Sequence, residues 1–166
     1  MNDIKQVVEY LRNQGLLLTT AESCTAGGIM TALAEVEGSG ELIECGYVVY
    51  SPQAKQRLLN VNPATMEKFN LTSREVAYEM AAGALHNNPA TAAIATTGLL
   101  GPADKDGIPA GTICFAWAFE TDVGPVVFSS TEHFAGSRQD VLSKAVQHAL
   151  QQLPYFHRAM LRGERS

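Results

Sequence analysis

The chain of 166 residues reads as an α/β protein, a three-layer α/β/α sandwich built on a mixed five-stranded sheet. Three observations predict this. Helical and strand periodicities alternate through the first half, which calls for crossover units and parallel strands. Two β-rich segments, Thr112–Phe119 and 125–134, flank the short turn Thr121-Asp122-Val123-Gly124, which calls for an antiparallel hairpin. Amphipathic stretches recur before, between and after the strands, so both sheet faces have helices to cover them.

Ile4, Val7, Val8 and Leu11 fall at i, i+3, i+4 and i+7, an amphipathic helix that Gly15 terminates. A strand is expected over 16–20, then a turn, then a second helix running to about Val36 and the loop Glu37-Gly38-Ser39-Gly40. Residues 45–50 are rich in β-formers, and Ser51-Pro52 is a helix start with Ser as N-cap and Pro in the first turn. A short helix covers 64–69. Thr72 and Glu75 have capping-box spacing ahead of a helix with Val76, Met80 and Ala84 on one face. A strand over 92–97 leads into Gly98-Leu99-Leu100-Gly101-Pro102 and a polar loop to Gly111. Ser137 begins the last long helix, with Val141, Ala145 and Ala149 buried, and the polar tail 154–166 is expected to fray. No repeat or linker divides the chain, so one domain over 1–166 is expected.

With 46% hydrophobic and 17% charged residues, the composition is that of a globular protein with a substantial core. A net charge of -5, with Lys and Arg scattered singly, argues against a nucleic-acid partner. Cys24, Cys45 and Cys114 have no CxxC spacing and read as reduced packing residues of a cytoplasmic protein. His86, His133, His148 and His157 lack metal-ligand spacing, so no metal site is expected. The start of the chain has no basic-then-apolar leader pattern and no segment reaches membrane-spanning length, so no membrane partner is expected.

The stretch Thr19-Thr20-Ala21-Glu22-Ser23-Cys24-Thr25-Ala26-Gly27-Gly28 joins an apolar run to an apolar-periodic one, giving strand, tight turn and helix. Free backbone N–H groups at such a helix start can hold an anion or a polar substrate atom. An ordinary N-cap is the competing explanation, because Ser and Thr are favoured there for capping alone.

Residues 20–27 of that stretch, together with 46–55, Gly98-Leu99-Leu100-Gly101-Pro102, Pro109-Ala110-Gly111-Thr112 and Phe134-Ala135-Gly136-Ser137-Arg138, resemble the CinA C-terminal domain family over nearly the whole chain. The chain is similar to the stand-alone form, without the additional N-terminal domain of full-length CinA. The resemblance implies a nicotinamide-nucleotide amidohydrolase that needs no metal and no cofactor, a pyridine-nucleotide ligand and a homodimer. It also implies a serine nucleophile assisted by a tyrosine and a lysine, which match Tyr50 and Lys55, and a substrate pocket drawn from Glu22, Ser23, Thr25, Gly27, Gly98, Gly101, Gly111, Thr112 and Arg138. Lys55 falls in the first turns of a helix, where the dipole disfavours a cation and eases deprotonation.

The resemblance places the nucleophile third in a Gly-x-Ser loop, and the matching position here is Gly40. Ser39 is one residue early, and neighbouring side chains point in different directions. Leu100 stands where the family has alanine, Ile108 where a lysine is common, and Leu142 where a second arginine follows Arg138. Loss of a serine nucleophile costs roughly 10⁶ in turnover in another hydrolase. The sequence therefore leads to the expectation of a nucleotide-binding relative with little or no deamidase activity, the alternative being an active amidohydrolase that works through Ser39 or Ser23.

Overall fold

The structure is a computed structural model and describes residues 3–166; residues 1 and 2 of the expected domain lie outside the described residues. Helix α1 (Asp3–Gln14) leads into β1 (Leu18–Glu22), α2 (Gly28–Ala34), a 3-10 helix (Ser39–Leu42) and β2 (Ile43–Val48). Three helices follow, α3 (Pro52–Leu59), α4 (Pro63–Phe69) and α5 (Arg74–His86), and then β3 (Ala92–Gly98), β4 (Thr112–Phe119) and β5 (Val126–His133). The chain closes with α6 (Arg138–Gln151) and α7 (Leu153–Leu161). The sheet has the order β2-β1-β3-β4-β5. β1 lies parallel to both β2 and β3, and β3, β4 and β5 run antiparallel, which is the mixed five-stranded α/β arrangement expected.

Residue size sorts the two faces. Along β4, Ile113, Phe115, Trp117 and Phe119 point to one side, where they join Val7, Leu11, Ile29, Val141 and Leu150 from α1, α2 and α6. Cys114, Ala116 and Ala118 point to the other, with Ala93 and Ala95 of β3, and meet Val76, Ala77, Met80 and Ala84 of α5. This is the period-2 alternation of a strand buried on both faces. The small side lets α5 lie close to the sheet, and the bulky side takes the larger helical layer. Trp117 is fully buried, and its indole N–H donates to Ala149 O at 2.8 Å, so no polar atom is stranded there.

Three local expectations are corrected. The tail 154–166 is not frayed throughout: Leu153–Leu161 forms α7, with Leu153, His157 and Ala159 buried. Pro154 reads as a breaker, but it occupies the first turn of α7, where its missing N–H costs nothing. Beyond it, Tyr10 and His157 are joined by a 2.8 Å hydrogen bond between the phenol and Nδ1, and Phe156 stacks on Trp117 at 4.4 Å. The N-cap of α5 is Ser73, which accepts the Val76 N–H, rather than Thr72. The first two strands end two residues later and begin two residues earlier than the sequence suggests, at Glu22 and Ile43.

Candidate active site

Between β1 and β3 the chain direction of the connections reverses: β1 leads through α2 to β2 on one side, while β2 returns through α3, α4 and α5 to β3 on the other. Crevices at the carboxyl ends of strands at such a switch point are where α/β sheets bind ligands. A cleft of about 560 Å³ opens there, of a size suited to a small organic ligand. Ser23 and Cys24 follow β1, Tyr50 and Lys55 follow β2, Thr97 and Gly98 end β3 with Leu99, Leu100 and Gly101 after them, and Arg138 opens α6; all of these line it.

Lys55 is the centre of this site. Ser51 caps α3 by accepting the Ala54 N–H at 3.0 Å, and Pro52 follows in the first turn, as the Ser51-Pro52 pair predicts. Side chains on a helix lean toward its N-terminus, so Lys55 runs back under the start of α3. It is 1% exposed, and its Nζ meets Val49 O and Tyr50 O, each at 3.1 Å, and Ser23 Oγ at 3.0 Å. All three partners are neutral acceptors, and no carboxylate lies within ion-pair distance of Nζ among the described residues. Burial accordingly pulls the Lys55 amine below its ordinary value. Two carbonyls hold two N–H groups, so on deprotonation the amine lone pair is left facing the Ser23 hydroxyl.

Glu22 takes a different part from the one expected of it. Its carboxylate is fully buried and turned away from the cleft, accepting from Thr25 Oγ1 at 2.7 Å, Ile29 N at 2.9 Å, Met30 N at 3.3 Å and Thr20 Oγ1 at 3.3 Å. It supplies acceptors for the open N–H groups of α2 and adds a negative charge at that helix's N-terminus. Thr25 spends its one proton on Glu22, so it receives the bond from Thr96 Oγ1 at 2.8 Å. Gly27 sits at φ 88 as the N-cap of α2. Glu22, Thr25 and Gly27 therefore build the turn that presents Ser23, and they do not line the cleft.

Gly98 and Gly101 do line it. A Cβ on Gly98 would lie 2.5 Å from Thr112 O, so glycine is required for β4 to approach. Gly111 and Thr112 stand behind the wall: a Cβ on Gly111 would lie 2.1 Å from Phe134 O, and Thr112 Oγ1 is held at 2.6 Å by both Pro109 O and His133 Nε2. Arg138 Nη1 donates to Gly101 O at 2.6 Å, fixing the guanidinium against the loop after β3.

Tyr50 lines the cleft as a residue 60% exposed, and only its main-chain carbonyl meets Lys55. Ser39 and Gly40 lie elsewhere. They form the 3-10 helix that precedes β2, packed on α1 and α2, whereas the cleft is at the other end of the parallel strands. Five residues of β1 at ~3.3 Å each put roughly 16 Å of strand between the two ends. Cys24, which the sequence reads as a packing residue in the turn after β1, also lines the cleft. Burial pushes its thiol up to about 12, so at neutral pH it is a protonated thiol and a poor nucleophile. Met66, Asn70, Leu71 and Thr72, from the end of α4 and the connection to α5, went unpredicted, since nothing in their spacing marks a site. No described helix is long and apolar enough to cross a membrane.

The family model of the CinA C-terminal domain matches residues 2–156. Protein YdeJ of Escherichia coli K12 is 41% identical over 139 residues, covering 83% of this chain and 78% of YdeJ. Nicotinamide-nucleotide amidohydrolase PncC of the same organism is 35% identical over 150 residues, covering 90% of this chain and 89% of PncC. The crystal structure of a competence-damaged protein (CinA) superfamily protein from Escherichia coli superposes with a TM-score of 0.86 at 38% identity, covering 93% of this chain and 88% of the other. The chain belongs to the CinA C-terminal domain family.

Proposed function

We propose that this protein is an active amidohydrolase that cleaves the carboxamide of a nicotinamide nucleotide, with Ser23 as nucleophile and Lys55 as its base. The observation that carries the proposal is the 3.0 Å contact between Lys55 Nζ and Ser23 Oγ, made in a cleft and with no carboxylate within ion-pair distance of Nζ among the described residues. The substrate class comes from similarity to PncC. Of the two serines open to the active reading, Ser23 faces the lysine and Ser39 is a strand length away. The glycine at position 40 then removes nothing from the reacting pair, which favours an active enzyme over an inactive relative.

An amide is a poor electrophile, so attack needs a base on the hydroxyl and donors for the oxyanion. Neutral Lys55 takes the Ser23 proton as Oγ bonds to the carboxamide carbon. The resulting ammonium returns that proton to the leaving nitrogen, the C–N bond breaks, and ammonia departs from an acyl-serine. Water, deprotonated by the same amine, then attacks the acyl carbon, and the carboxylic acid leaves as Ser23 regains its proton. The backbone N–H groups of Cys24, Leu100 and Gly101 belong to residues that line the same cleft and make no hydrogen bond within the described chain, so they are donors available to the oxyanion. The test is ammonia release from nicotinamide mononucleotide by the purified protein. We expect turnover by the wild type and its loss in Lys55→Met; a silent wild type refutes the proposal.

A further inference from the structure

Thr97 stands beside the nucleophile. β1 pairs with β3 in parallel with Glu22 opposite Thr96, and the ladder runs one step further, since the Ser23 N–H donates to Thr96 O at 3.0 Å. The next two residues, Ser23 and Thr97, therefore lie side by side where the strands end. Ala21 and Ala95 face α5, so alternation turns Ser23 and Thr97 to that same side. Ser23 there meets Lys55 of α3, Thr97 meets Leu71 in the connection from α4 to α5, and both line the cleft.

The Thr97 hydroxyl has one proton, and it goes to Leu71 O at 2.8 Å. A carbonyl only accepts, so this direction is fixed, and what the Thr97 oxygen can still offer is a lone pair. It makes no other hydrogen bond among the described residues. Thr97 is 2% exposed, so this acceptor is held out of bulk water, where a hydrogen bond counts for more. The neighbouring Thr96 hydroxyl is engaged with Thr25 Oγ1 instead. The carboxylates that line the cleft, Glu67, Asp104 and Asp106, stand on α4 and in the loop after Pro102, outside the register that sets Thr97 against Ser23.

We infer that Thr97 is the residue that selects an amide: its oxygen accepts an N–H of the substrate's carboxamide beside the Ser23 hydroxyl. The inference rests on the amidohydrolase reading of the same cleft. A carboxamide carries N–H donors on its nitrogen, whereas an ester or the carboxylate product presents only acceptors, which a lone pair repels. The same contact decides which way round the carboxamide lies, with nitrogen toward Thr97 and oxygen left to the backbone donors. Discrimination of this kind is strong because an analogue without the N–H leaves a buried polar atom unpaired.

The experiment measures kcat/KM for nicotinamide mononucleotide and for the methyl ester of nicotinate mononucleotide in the wild type, Thr97→Val and Thr97→Ser. Valine matches threonine in shape and removes the acceptor, while serine keeps the hydroxyl. The amide-to-ester ratio should fall about tenfold in Thr97→Val, as for one lost hydrogen bond, and return in Thr97→Ser. An unchanged ratio, or equal losses on both substrates from a displaced Leu71, overturns the assignment and leaves the amidohydrolase reading standing. If the wild type hydrolyses neither substrate, that reading fails separately, and titration calorimetry decides the role of Thr97. A preference for nicotinamide mononucleotide over nicotinate mononucleotide that Thr97→Val loses supports it; a preference that Thr97→Val keeps, or that the wild type lacks, overturns it.

Discussion

Glu22 accepts the backbone N–H of Ile29 at 2.9 Å, which ties the last residue of β1 to the first turn of α2 across the turn that carries Ser23. The acid in the most distinctive stretch of this sequence thus acts on the position of the nucleophile and leaves the ligand to others. Replacing it by Gln puts an NH2 group among four donors. Hydrogen bonds to charged groups contribute about 1.5–3 kcal/mol each and buried mismatches cost more than the bond itself. Glu22→Gln should therefore lower unfolding stability by about 2–4 kcal/mol, measured by urea denaturation; an unchanged midpoint would contradict this role.

Lys55 makes activity and stability depend on pH in the same direction. Its folded value lies below the ordinary lysine value because burial disfavours the charged form. Between the folded and unfolded values the unfolded chain binds more protons, so stability rises with pH across that window, and the cost of the buried charge is fully present below it. The fraction of neutral base, and with it kcat/KM, should rise over the same alkaline range. Lys55→Met should lose both the rate and the stability slope, readable from ammonia release and from melting curves at several pH values.

Tyr50 tests which part of a residue matters. Its carbonyl holds the lysine, while no hydrogen bond joins its phenol to the described chain. Tyr50→Phe should keep kcat close to that of the wild type, whereas Tyr50→Ala, which strips the cleft of its exposed ring, should raise KM. A collapse of kcat in the Phe variant would assign the phenol to proton transfer.

His157 anchors α7 through Tyr10. Burial, with Arg158 adding to it, pulls the imidazole below its ordinary value, so the fold holds it neutral. As pH falls below about 6.5 the unfolded state takes up the proton first, and stability declines progressively with acidification. Tyr10→Phe removes the 2.8 Å bond and should cost about 1 kcal/mol at neutral pH. Hydrogen exchange should report the loss first in 153–161; uniform loosening of the whole sheet would contradict a local anchor.

Sheet composition, element order and the start of α3 were legible because hydrophobic period and Ser-Pro capping are local properties. What the sequence hid is non-local. All five residues of β1 are buried, so alternation cannot tell which way Glu22 faces. Ser23 and Lys55 are 32 positions apart and meet only once β1 and β2 are paired. Family resemblance drew attention to Ser39 and Gly40, yet parallel pairing places that loop at the start of β2 while the cleft forms at its end. Helix α7 escaped notice because Pro154 reads as a stop unless it falls in a first turn, and the contact that secures it, between Tyr10 and His157, spans 147 residues.

The most direct measurement compares ammonia release from nicotinamide mononucleotide by the wild type, Ser23→Ala and Ser39→Ala. The account predicts that Ser23→Ala abolishes turnover, on the scale of roughly 10⁶ seen when a serine hydrolase loses its nucleophile, and that Ser39→Ala retains it. Turnover surviving in Ser23→Ala, or lost in a folded Ser39→Ala, would contradict the pairing of Ser23 with Lys55 as the reacting centre.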